Sequence, residues 1–210
     1  MDDYGNLALA AARFYRSLRV IEEFRAGEEP WLPCTAATRR FFSAIPQVRN
    51  VLDFGGGFGV GYFSLHQPCR WAVVETITTA AMASLLGGES LKFFDSLEGA
   101  HAWLGEVDIV HTNSAIQYTE YPEGSLRALC AFRARYMLLM RCDLGEEWQL
   151  MTQVAGIEHQ GPGNIPLPQC IKWRNFCYPC TTMARKDFEA IMSGYERIDE
   201  ECSSFLYRRK

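Results

Sequence analysis

The run Val51-Leu52-Asp53-Phe54-Gly55-Gly56-Gly57-Phe58-Gly59 constrains this chain more than any other stretch. A short apolar run closes on an acid, a glycine-dense turn follows, and the next residues can open a helix. Glycines carry a backbone through φ > 0 and let it approach a bound molecule closely. At the carboxyl end of a parallel strand, such a turn is where open α/β sheets bind nucleotides.

The rest of the chain supplies the sheet. Apolar positions Leu7, Ala11, Phe14, Leu18 and Ile21 predict a helix over 5–25, stopped by Gly27. Thr35 can cap a second helix that ends at Pro46. Strands are expected at 50–54, 71–75, 91–94, 108–112 and 136–140. Helices fit between them, over 60–66, from Thr76 or Thr78 to Leu86, over 97–104 and over 123–134. Five alternations of strand and helix argue for a parallel sheet with helices on both faces. The pattern breaks between Asp143 and Thr181, where four prolines and four glycines punctuate a stretch anchored by Trp148, Trp173, Phe176 and Tyr178. An added strand near Leu150–Ile157 is compatible with it, and a segment of this length reads as an active-site lid or substrate loop. Thr182 can cap a last helix to Met192. Two closing strands, 195–199 and 204–208, are joined tightly enough to be antiparallel. The division expected is an N-terminal helical cap, 1–46, and a cofactor-binding domain, 47–210, with 143–181 as the lid.

A length of 210 residues suits a sizeable core, and a net charge of −4 with scattered basic residues argues against a nucleic-acid partner. No run of 18 apolar residues points to a membrane. Asp2 and Asp3 are the wrong charge for a secretory signal, so the expected location is cytoplasmic and the eight cysteines are expected as thiols. A homodimer is compatible with all of this.

Three chemistries use a glycine turn after a strand. A P-loop needs a lysine after its last glycine, and none occurs before Lys92. A dinucleotide fingerprint needs a third glycine or alanine where this chain has Val60 or Tyr62. S-adenosylmethionine has no phosphate to cradle and is cationic, which suits an acid ahead of the turn. Glu75 follows Asp53 by 22 residues and closes the second strand, the place of a ribose-binding acid.

The 51–59 run resembles the first motif of the Rossmann-like (class I) S-adenosylmethionine-dependent methyltransferases. Val-Val-Glu-Thr at 73–76 and Asn-Ser-Ala-Ile-Gln-Tyr at 113–118 are similar to motifs of a family of bacterial methyltransferases known mostly from sequence and often encoded near polysaccharide or other biosynthetic genes. That family commonly has Pro in place of Ile77 and Ser in place of Asn113. The resemblance implies a three-layer α/β fold with a mostly parallel seven-stranded sheet and an antiparallel C-terminal strand. It also implies roles. Asp53 would hold the methionine amino group over Gly55, Gly56, Gly57 and Gly59. Glu75 would take the ribose, Thr76 would sit beside the adenine, and Asp95 or Ser96 would bond its amino group. Asn113 and Ser114 would border the sulfonium. Gln117 and Tyr118 would face the methyl or the acceptor, with Tyr15, Trp173 and Arg174 as further substrate contacts.

Methyl transfer needs a near-attack geometry, and an oxygen acceptor gains from a general base. His111, Tyr118 and His159 are the candidates. Cys177-Tyr178-Pro179-Cys180 has no second close pair, so no metal is expected. The expected function is transfer of a methyl group to a small molecule, at oxygen. The alternatives are a non-catalytic cofactor-binding subunit and a nicotinamide-dependent oxidoreductase.

Overall fold

The computed structural model describes residues 6–30, 32–65 and 67–210. Residue 5 and His66, the outer ends of two expected helices, lie outside the described residues. Helix α1 (Leu7–Arg25) starts where the Asn6 side chain accepts the backbone N–H of Ala8 at 3.0 Å. It ends as expected at Gly27, whose φ of 80° lets Glu28 N–H reach back to the Glu23 carbonyl. Helix α2 (Pro33–Ser43) opens on a proline at its first turn, a favoured place for a residue without an N–H. Thr35 is therefore inside the helix and not its cap; its hydroxyl donates to the Leu32 carbonyl at 2.9 Å.

The five expected parallel strands form: β1 (Asn50–Phe54), β2 (Arg70–Val74), β3 (Leu91–Phe94), β4 (Ile109–Asn113) and β5 (Tyr136–Met140). Between them run α3 (Val60–Ser64), α4 (Ile77–Ala83), α5 (Leu97–Leu104) and α6 (Pro122–Ala131), and α7 (Arg185–Ile191) follows later. The chain closes on a hairpin. We number its strands β9 (Tyr195–Glu201) and β10 (Ser204–Arg209), leaving β6 to β8 for the segment that precedes α7. The sheet order is β3-β2-β1-β4-β5-β10-β9, with β10 antiparallel to both β5 and β9. This is the expected mostly parallel seven-stranded sheet with an antiparallel C-terminal edge.

Side chains alternate across the strands, so each face buries its own core. On one face Leu52, Val110 and Met137 pack with Leu104, Leu126 and Phe188 from α5, α6 and α7. On the other, Val51, Trp71, Ile109 and Leu138 pack with Phe41 and Phe42 of α2. Helix α1 lies over the carboxyl end of the sheet, with Ile21 and Phe14 against Phe58 and Ala83.

In the 143–181 segment the added strand expected near Leu150–Ile157 forms, and the remainder differs from the loop expected. Strands β6 (Leu144–Gly145), β7 (Gln149–Gly156) and β8 (Asn175–Ala184) make a second sheet, in which the whole of β7 pairs antiparallel with Asn175 to Thr182 of β8. Two features hide this in the sequence. Leu150, Met151 and Val154 face outward at 75%, 47% and 59% exposure, which blurs the in–out alternation. Pro179 sits where β8 has a neighbour only on the β7 side, because β6 pairs no further than Met183 and Ala184, and a free edge tolerates proline. Thr182 lies within β8, so it caps nothing, and α7 begins after Ala184.

Arg16 fastens α1 to the loop between β7 and β8. It is 3% exposed, and its guanidinium donates to the carbonyls of Ile165 at 2.8 Å, Gln160 at 2.6 Å and Ile157 at 3.5 Å. Buried carbonyls without a donor cost about 1–3 kcal/mol each. Arg16→Met is expected to lower unfolding stability by at least about 2 kcal/mol and to speed amide exchange across 157–165; Arg19→Met, on the exposed face, should do neither. Denaturant titration and hydrogen exchange read both effects.

Candidate active site

The carboxyl ends of β1 to β5, the glycine turn, α1 and the β7–β8 loop enclose a cavity of about 700 Å³. That is the size range of small-molecule and cofactor sites.

Its floor is Asp53, 1% exposed. One carboxylate oxygen accepts the Trp71 indole N–H at 2.9 Å, and the other lies 2.7 Å from His111 Nδ1. The register explains the second contact. Asp53 and His111 are paired across parallel strands β1 and β4, so both point to the same face. The carboxylate accepts here, so Nδ1 carries the proton and Nε2 of a neutral ring holds the lone pair. His111 is 3% exposed, borders the cavity, and its Nε2 has no hydrogen-bond partner among the described residues.

The turn fits over this floor because Gly56 lacks a side chain. A Cβ there would stand 2.1 Å from Asp53 Oδ2. Gly57, at φ 61°, presents its N–H to Glu75 Oε1 at 3.0 Å. β2 ends at Val74, and Glu75, expected as its last residue, follows it directly, with its side chain 7% exposed; Oε1 also meets Arg13 Nη2 of α1 at 3.3 Å, and Oε2 accepts the Thr76 N–H.

Most of the expected residues converge on the cavity: Asp53, Gly55, Gly56, Gly57, Glu75, Thr76, Asp95, Asn113, Ser114, Tyr118, His111 and His159 all border it. Others stand elsewhere. Gly59 is the capping residue just ahead of α3, and Ser96 caps α5 by accepting the Gly99 N–H. Gln117 lies behind the wall and braces it, donating to Ser114 Oγ at 2.9 Å and to the Arg141 carbonyl at 3.1 Å. Trp173 is 67% exposed and does not border the cavity. Arg174 lies over the Phe176 ring and bonds Asn6, and Tyr15 is half-buried on α1; neither borders the cavity. Residue type nominated these three; the segment just ahead of β8 and the phase of α1 place them outside the border of the cavity.

Of the far wall, only Tyr118 was expected. Tyr118 donates its hydroxyl to Gln153 of β7 at 2.9 Å and meets Tyr178 of β8 edge-on at 5.5 Å. Tyr178 in turn accepts from Gln160 at 3.2 Å. Burial, above all, pushes the Tyr118 phenol above its usual range, so it stays a neutral hydrogen-bonding group. Ser114 and Arg141 follow Asn113 and Met140, the last paired residues of β4 and β5, and both are left-handed, with φ of 55° and 50°. Such a conformation costs a side-chain-bearing residue about 1–2 kcal/mol, and it collects at functional sites. Cys177 and Cys180, three apart on β8, project to opposite faces. No group of three metal-binding side chains occurs among the described residues.

Solved structures share this architecture. A SAM-bound amino pentose methyltransferase of Micromonospora echinaspora, CalS10, is 19% identical over 90% of this chain and 95% of that one, with a TM-score of 0.54. The N-terminal domain of EvdMO1, in the presence of SAH and D-fucose, is 14% identical over 87% and 85%, with a TM-score of 0.55. A Burkholderia thailandensis 1,6-didemethyltoxoflavin-N1-methyltransferase, with that compound and S-adenosylhomocysteine bound, is 12% identical over 92% and 86%, with a TM-score of 0.54. This is the Rossmann-like methyltransferase fold. No protein-family model matches the chain and no curated protein matches it in sequence. The narrower likeness of the 73–76 and 113–118 motifs stays a resemblance between short stretches.

Gly56→Ala is expected to cost about 1–3 kcal/mol of stability, because its methyl collides with Asp53 and pushes it off Trp71 and His111. Gly88→Ala, with nothing within 4 Å of the added carbon, should stay within about 0.5 kcal/mol of the parent. Denaturant midpoints and Trp71 fluorescence distinguish the two.

Proposed function

We propose that this chain is an S-adenosylmethionine-dependent methyltransferase acting on a small molecule. The observation that carries the reading is Glu75: a nearly buried carboxylate, held at the cavity wall by the Gly57 N–H at 3.0 Å. A ribose offers two hydroxyl donors to such a group. Solved neighbours with this fold that carry SAM or S-adenosylhomocysteine support the choice of cofactor.

When bound, S-adenosylmethionine supplies an electrophilic methyl group on a sulfonium. In this reading the carboxylates of Asp53, Glu75 and Asp95 give the cofactor side of the cavity its negative potential. The Gly55–Gly57 turn lets the backbone lie close to the ligand, and Thr76 and Asp95 border the base. Asn113 and Ser114, at the end of β4, border the reacting centre. The Tyr118–Gln153–Tyr178 wall orients the acceptor through hydroxyl and amide groups, which fits a polar ring such as a sugar. His111, oriented by Asp53, takes the proton of an oxygen acceptor through Nε2; His159, exposed on the lid loop, is the second candidate. N-methyltransferases among the neighbours make nitrogen the competing acceptor atom. Helices α1 and α2, within the 1–46 cap, and the 143–181 segment roof the site. We place the reaction in the cytoplasm, where the free cysteines stay reduced. No helix among the described residues is long and apolar enough to cross a membrane.

Calorimetry with S-adenosylhomocysteine and with NADH tests the reading. The chain is expected to bind the former and ignore the latter. Glu75→Ala should weaken binding by about tenfold or more, roughly 1.4 kcal/mol. Tight NADH binding, or unchanged affinity in a folded Glu75→Ala variant, would overturn it.

A further inference from the structure

The charges around the cavity are sorted by strand. Its carboxylates, Asp53, Glu75 and Asp95, come from the ends of β1, β2 and β3. Arg13, the cation on that side, already pairs with Glu75. On the other side, beyond β4, the bordering groups are neutral or basic: Ser114, Tyr118, Thr119, Gln153, His159 and Arg141. Arg141 makes no ion pair with a carboxylate among the described residues. Its side chain is nonetheless held in place, because Nε donates to Asn113 Oδ1 at 2.6 Å. Its backbone is pinned twice in the left-handed conformation: the N–H donates to Ser204 Oγ at 3.2 Å, and the carbonyl accepts from Gln117 at 3.1 Å. Glycine would fit this backbone without strain, yet the position carries a guanidinium at the cavity edge.

Resting on the methyltransferase reading, we propose that Arg141 is the acceptor-recognising residue and that the acceptor carries an oxyanion, a carboxylate or a phosphate. With Nε fixed on Asn113, the two terminal nitrogens form the fork that takes such a group. Asn113 does double duty, since it borders the reacting centre and aims the fork. The acceptor is thereby tethered next to β4, with its nucleophilic atom toward the cofactor side. The sorting keeps the partners apart: a cationic donor over the carboxylates, and an anionic acceptor over Arg141.

The test uses the full chain labelled with ¹⁵N, titrated with inorganic phosphate and, separately, with citrate, each with and without S-adenosylhomocysteine. Saturable shifts are expected at the amides of 113–119 and 141 and at Arg141 Nε. Arg141→Gln should weaken the response about tenfold or more, as loss of a charge-assisted fork does, and Arg141→Lys should retain part of it. S-adenosylhomocysteine binding should be unchanged in both variants. Tighter phosphate saturation names a phosphorylated acceptor, and tighter citrate saturation names a carboxylate. Absence of saturable shifts at these residues, or equal shifts in Arg141→Gln, would overturn the proposal. Failure of S-adenosylhomocysteine to bind would sink the methyltransferase reading instead, and the titrations without it would still judge Arg141.

Discussion

Asp53 ties the molecule together at the place where its chemistry is proposed to happen. A carboxylate at 1% exposure is costly unless its oxygens are satisfied. Here Trp71 from β2 and His111 from β4 satisfy them, one from each neighbouring strand. That bridge fixes three neighbouring strands relative to one another. It also occupies the space above β1, so the chain must cross it without a side chain, and Gly56 does so. Phe42 stacks on Trp71 at 5.5 Å from the other side, which links the bridge to α2 and its core. The glycine turn is therefore a packing consequence of a buried acid as much as a ligand cradle.

From that floor the cavity is built outward by polar contacts that bind distant segments. Glu75 draws Arg13 of α1 and Gly57 of the turn together. Arg16, one turn along the same helix, gathers three carbonyls of the β7–β8 loop. The roof is thus fastened through α1, and whatever displaces Arg13 from Glu75 acts on the same helix that holds the loop. A ligand that takes Glu75 from Arg13 is therefore expected to act on the roof through this one element.

The sheet was legible because its parallel strands are short, mostly apolar runs, three of which reach an acid at their carboxyl ends: Asp53, Glu75 and Asp95. Strands 50–54, 91–94 and 136–140 and the helix at 97–104 fall where the pattern puts them. Asp53, Glu75 and the 113–118 stretch were legible because type and spacing agreed. Three things were not. The β7–β8 sheet exposes Leu150 and Val154 and contains Pro179, so it reads as a loop. The helical phase of α1 turns Arg13 to Glu75 and Arg16 to the loop, a distinction that spacing within one short helix does not make. Arg141 has no motif, since its position rests on a left-handed backbone held by Ser204 and Gln117, which are far from it in sequence. Trp173 and Arg174 show the opposite case: suitable residue types that stand just ahead of β8, outside the border of the cavity.

The central claim is that the cavity above Asp53 holds S-adenosylmethionine, with its ribose on Glu75. A crystal structure of the chain with S-adenosylhomocysteine measures this directly. The account predicts the ligand along the ends of β1 to β4, its ribose hydroxyls on Glu75, Arg13 moved away from that carboxylate, and Asp53 still joined to Trp71 and His111. A ligand bound elsewhere, or one in this cavity with Glu75 still on Arg13 and no contact to the ribose, would contradict it.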